Sequence, residues 1–197
     1  MDEATRYIES LMQRSRAAQE SIAHLDQKAV DKVVEAIAWH TVQPEFAREL
    51  SELGVSESRM GDVESKYAKM MNKVRAGWLD MKGAHTVGIV EENHELGLVK
   101  IAKPVGVVGA LIPCTNCEAT PVLKASWAVK TKNAIILAPH PRTQKTNALV
   151  TDVMRKVLEK HGLNPDLIIN MDEVSLENSQ ELMRQCDLIL ATGGAAE

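Results

Sequence analysis

From residue 105 onward, short and continuously apolar runs alternate with amphipathic stretches, and this alternation restricts the fold more than any other feature of the chain. The runs GVVGALI (106–112), AIILAP (134–139), DLIIN (166–170) and DLILATGG (187–194) read as strands. Helical patterns separate them, over about 118–131, 143–162 and 175–185. Strands that are apolar throughout, each followed by a helix, form a parallel sheet covered on both faces. Gly106 and Gly109, in the first run, read as packing features; the dinucleotide fingerprint G-x-G-x-x-G is absent.

Before residue 84 the period is helical. Ile8, Leu11, Met12, Ala18 and Ile22 recur at helical spacing. Asp26 reads as the N-cap of a helix with Val30, Val33, Val34 and Ile37 on one face. Pro44 suits the first turn of a third helix, with Gly54 as its expected end. One more helix is expected over 56–81, weakest at Gly61. TVGIV and LGLVKIA, around the polar turn EENHE, read as a β-hairpin. The expectation is an α/β chain: a helical N-terminal region (1–83), a hairpin (84–104) serving oligomerisation, and a partial Rossmann-like parallel sheet (105–197).

With 197 residues, the chain is long enough to bury a core without disulfides or metals. Its six aromatics leave that core to aliphatic side chains and methionine. A net charge of −4 and a pI near 5.9 argue against a nucleic-acid partner. The N-terminus is charged from its second residue, and no run reaches the ~18 apolar residues of a membrane span. These features, with three sparse cysteines, predict a cytoplasmic protein with no membrane partner.

In doubly wound sheets, ligands bind at the carboxyl ends of the strands. Here three strand ends carry PCTNC, PHPR and TGG, which the topology sends to one edge. The glycines of TGG let a backbone approach a phosphate, or simply turn the chain. His140, Arg142 and Lys145 bring cations to a strand end, with a solvated turn as the plainer role for Lys145. Cys114 and Cys117 have C-x-x-C spacing, but no second pair completes a zinc site and no metal is expected. Asn116 is able to donate to an oxygen that becomes negative in a transition state, or to cap a helix. Glu118 reads as compensating the dipole of the following helix.

The ordered motifs KPVGVVG, P-x-T-N, KTKNAII and PHPR, with MGDVESKYAK and HTVGIVEEN upstream, resemble the aldehyde dehydrogenase superfamily, and its CoA-acylating branch most of all. The resemblance implies an NAD(P)-binding α/β domain over 105–197 and oxidation of an aldehyde through a cysteine thiolate, with the acyl group passed to CoA. It implies NAD or NADP as cofactor, coenzyme A as co-substrate, a small aldehyde as substrate, and a homo-oligomer, in the cytoplasm or a bacterial microcompartment. Asn116 resembles the family's oxyanion-stabilising Asn. Counted from Pro113 to Lys124, however, Thr115 falls where hydrolytic members place that Asn, so both residues are candidates. Ile112, Pro113, Pro139, His140, Arg142, Thr192, Gly193 and Gly194 match cofactor-side segments. Ala138 and Pro141 replace the Lys and Glu usual in hydrolytic members, which leaves no acid there to repel a 2′-phosphate. None of Cys114, Cys117 or Cys186 matches the family's nucleophile, and ATGGAAE stops where a helix should follow. The expectation is therefore a truncated, inactive N-terminal part. The alternatives are a non-acylating aldehyde dehydrogenase or a non-catalytic nucleotide-binding or assembly module.

Overall fold

A computed structural model describes residues 2–192. Four helices come first: α1 (Glu3–Ser21), α2 (Gln27–Thr41), α3 (Pro44–Ser58) and α4 (Val63–Met81). Aspartates cap three of them, Asp2, Asp26 and Asp62 each accepting a backbone N–H from three residues on. Pro44 occupies the first turn of α3, as its fixed φ favours.

Gly54 does not end that helix. It lies buried within α3, where an added Cβ would stand 3.4 Å from Cys117 Sγ. The helix runs on to Ser58 and stops with Arg59 in the left-handed region (φ 56°). The single helix expected over 56–81 is thus two, and Gly61 (φ 73°) belongs to the break between them.

The hairpin pairs β1 (Gly88–Asn93) with β2 (Leu98–Ala102). Its turn falls at 94–97, later than expected, because Glu91, Glu92 and Asn93 continue the first strand. A strand exposed on both faces needs no apolar alternation, so polarity there did not mark a turn.

The second half holds β3 (Val107–Ile112), α5 (Thr120–Lys130), β4 (Ala134–Pro139), α6 (Gln144–Lys160), β5 (Ile168–Asn170), α7 (Leu176–Gln185) and β6 (Leu188–Leu190). The sheet order is β5-β4-β3-β6, with every pair parallel. Successive crossovers through α5 and α6 step outward to β5. The next crossover returns through α7 to the far side of β3. The direction of winding therefore reverses between β3 and β6, the switch point at which such sheets bind ligands. α1 and α7 pack together, α5 and α6 pack together, and α2 lies over the latter pair.

Aliphatic side chains of both halves share one core, from Ile8 and Ile37 to Ile135, Ile136 and Leu158. Two polar side chains align the amino edge of the sheet. Asn133 Oδ1 accepts from the N–H groups of Val105 and Gly106, and Asp187 Oδ2 accepts from that of Val107.

Candidate active site

Because β3, β4 and β6 are parallel neighbours, their carboxyl ends meet on one edge of the sheet. A cavity of ≈ 380 Å³ opens there, within the ~300–1,000 Å³ common for small-molecule sites. Ile112 and Pro113 bound it from β3, Pro139 and His140 from β4, and Thr192 from the segment after β6. Helix α7 adds Ser179, Gln180 and Met183, and its N-cap adds Ser175, none of which stood out in the sequence. Five of the sequence-derived cofactor positions therefore line one cavity.

Arg142 is exposed and does not line it. Its backbone N–H is accepted by His140 Nδ1 at 3.1 Å. Gly193 and Gly194 lie outside the described residues. Lys145 contributes its backbone: Glu57 on α3 accepts its N–H and that of Thr146, capping α6 from outside the helix.

The turn from β3 to α5 carries the other candidates. Thr115 is exposed, and its carbonyl accepts from Lys66 and Lys69 of α4 at 3.3 and 3.2 Å. The Oδ1 of Asn116 is buried without a hydrogen-bond partner in the protein. Glu118, which read as a dipole-compensating residue, is instead the centre of a buried ionic cluster. Lys66 Nζ donates to its Oε2 at 3.0 Å. Lys69 Nζ stands 2.8 Å from Oε1, as an ion pair rather than an aligned hydrogen bond. Burial pushes the Glu118 carboxyl up, but the two ammonium groups outweigh it and hold the carboxyl below its ordinary range.

Two of the three cysteines sit where burial disfavours a thiolate. Burial, and then the Glu118 charge, push the Cys117 thiol up to about 12. Burial also raises Cys186, whose Sγ would stand 2.8 Å from a Cβ added to Gly109. Cys114 Sγ rests 3.7 Å from Met60 Sδ. Among the described residues, no group of three or more His, Cys, Asp or Glu is arranged to hold a metal ion.

One residue the sequence reading passed over stands at the switch point itself. Lys124 is buried on α5, and its Nζ donates to the carbonyl of Leu111 at 2.7 Å and to that of Leu190 at 2.6 Å. Burial draws its pKa down to about 8. A lysine amid Val122, Ala125 and Val129 was the available signal.

No family model matches the chain. It is 42% identical over 187 residues to a sulfoacetaldehyde dehydrogenase of Acholeplasma sp, an alignment covering 95% of this chain and 39% of that protein. To the succinate-semialdehyde dehydrogenase (acetylating) of Clostridium kluyveri it is 38% identical, covering 95% of this chain and 41% of that one. The crystal structure of an acetylating aldehyde dehydrogenase from Geobacillus thermoglucosidasius superposes with a TM-score of 0.92 at 32% identity, over 98% of this chain and 43% of that one. The chain is homologous to the N-terminal part of acylating aldehyde dehydrogenases. It spans about two fifths of the length of the curated relatives it matches. In doubly wound sheets a cavity at the switch point is where dinucleotides bind. The residues present fit such a group: Ile112, Pro139 and Met183 offer apolar surface, while Ser179, Gln180 and Thr192 offer hydrogen bonds.

Proposed function

We propose that this chain is the cofactor-binding part of a CoA-acylating aldehyde dehydrogenase, which converts aldehyde, CoA and NAD(P)+ into acyl-CoA, NAD(P)H and a proton. The observation that carries the proposal is the convergence of the β3, β4 and β6 ends on one cavity, with the Asn116 turn just beyond its Pro113 wall. Ile112, Pro113, Pro139, His140 and Thr192, with Gly193 and Gly194, would hold the nucleotide, and Arg142, two residues after His140, would meet its phosphate or ribose. When bound, such a nucleotide would supply a hydride acceptor for the carbon that the thiolate has attacked. The lining has no carboxylate among the described residues, so a 2′-phosphate meets no repulsion and NADP is accepted beside NAD. The Asn116 carboxamide, with Thr115 beside it, donates to the carbonyl oxygen as a thiolate adds.

None of the three cysteines supplies that thiolate, so the 197-residue chain alone turns nothing over. The names of the relatives support a short aldehyde as substrate. The exposed hairpin supports self-association, and the three unpaired cysteines support a reducing setting, in the cytoplasm or a bacterial microcompartment. No described helix is long and apolar enough to cross a membrane.

Titrating the chain with NADH and NADPH, followed by nicotinamide fluorescence, tests the site. Binding should saturate and should be lost in Met183→Trp, which fills the cavity. Assaying the complete protein with and without CoA tests the reaction. CoA-independent release of a carboxylic acid would favour the hydrolytic alternative, and turnover by the 197-residue chain itself would contradict the proposal.

A further inference from the structure

The turn that carries Asn116 is irregular and has no side-chain cap of its own. It is held instead from α4. Lys66 and Lys69 are three residues apart on one face of that helix, and each reaches two points of the turn. Both ammonium groups meet the Thr115 carbonyl, one residue before Asn116, and the Glu118 carboxylate, two residues after it. The grip therefore brackets Asn116 without occupying its side chain, whose Oδ1 accepts nothing. Cys117, fully buried between them, points its Sγ toward Glu118 Oε2 at 3.4 Å. The missing side chain at Gly54 lets α3 close over that thiol.

Such a cluster is a poor device for stability alone. The side chains of Lys66 and Glu118 are 3% and 0% exposed, and buried ion pairs are often matched or bettered by apolar packing of the same volume. Their use is geometric: charge-assisted contacts fix a short irregular segment that backbone hydrogen bonds cannot. We propose that Lys66 and Lys69 are positioning residues that hold the Asn116 amide where the oxyanion forms, with Glu118 as the counter-ion that lets two ammonium groups stay beneath the turn. This rests on the reading of Asn116 as the donor.

Hydrogen exchange on the 197-residue chain reads the grip directly, and kinetics on the complete enzyme read its purpose. In Lys69→Met, exchange over residues 113–119 should rise at least tenfold while β3 and β4 keep their protection. In the complete enzyme, the same change should lower kcat at least tenfold with the aldehyde KM within twofold, and Lys69→Arg should restore most of both. Lys69 is the primary variant because its side chain is 27% exposed and tolerates replacement better than buried Lys66. Unchanged exchange over 113–119 would overturn the proposal. So would loosening there with kcat unaffected, or a rise in exchange spread evenly over the sheet. A complete enzyme without CoA-dependent turnover would count against the acylating function, and the exchange measurement would then decide the grip by itself.

Discussion

Lys124 Nζ donates to the backbone carbonyl of Leu190 at 2.6 Å, so one side chain of α5 reaches across the switch point to the final described strand. Its second bond, to Leu111, ties the end of β3 to the same point. Replacing it by Met removes the donor from two carbonyls, each worth ~1–3 kcal/mol when left buried and unpaired. Lys124→Met should lower the urea midpoint accordingly. The pH dependence carries a sign that identifies the cause. The folded pKa, about 8, lies below the ordinary lysine value of 10.5, so between those values the unfolded chain binds more protons. Wild type should therefore gain stability relative to Lys124→Met as pH rises from about 8 to about 10.5. A constant difference between the two would show that burial does not depress this lysine.

Gly106 and Asp187 bear on each other at the opposite edge of the sheet. Gly106 sits at φ 127°, and a Cβ there would stand 2.3 Å from Asp187 Oδ2, the atom that accepts the Val107 N–H. Gly106→Ala thus combines a disfavoured backbone conformation with displacement of a carboxylate that pairs with Arg16. We expect a loss of about 2–4 kcal/mol by chemical denaturation. Gly162→Ala is the control. Its φ of 71° is also left-handed, but nothing lies within 4 Å, so only the backbone penalty of ~1–2 kcal/mol applies.

These two sites show what was legible in the sequence. The Asp26 cap and Pro44 act within a turn of themselves, so local chemistry reveals them. The strand ends converge because of βα order, which the alternation of apolar and amphipathic runs carries. Gly54 misled because its reason lies on a different element: it makes room for Cys117 and Glu118, far along the chain. Lys66 and Glu118 are 52 positions apart, and neither residue's neighbours announce the other. Glu118 stands just before a helix, where dipole compensation is the ordinary expectation. Only the approach of α4 turns it inward.

Glu118 gives an acid-side test of that cluster. Its folded pKa is held below the ordinary glutamate value of 4.5, so its stabilising contribution is fully present above 4.5 and is lost as pH falls through the folded value. Glu118→Gln should cost ~3 kcal/mol at pH 7 by leaving two ammonium groups without their counter-ion. The gap between wild type and variant should narrow as the pH is taken below 4.5. Denaturant titrations at pH 7 and pH 3.5 measure both quantities, and a gap that stayed constant would place the carboxylate outside the ionic balance.

The hairpin supplies the last prediction. Both of its strands are exposed along nearly their whole length, including Ile89, Leu98, Val99 and Ile101, each more than half exposed. Two strands without a packed face are marginal on their own. The base is nevertheless well anchored. Thr86 Oγ1 donates to the Lys130 carbonyl at 2.6 Å, and Gln27 Oε1 accepts from the N–H groups of Thr86 and Val87. A firmly rooted element that exposes aliphatic side chains and free strand edges is suited to pairing with another copy of itself. Sedimentation velocity should find the chain associated at micromolar concentration. Charged residues on an edge block such pairing, so Val99→Lys with Ile101→Lys should shift it to monomer. Because neither residue touches the core, the unfolding midpoint extrapolated to low concentration should stay within ~0.5 kcal/mol of wild type. A variant that remained associated would move the self-contact elsewhere on the surface.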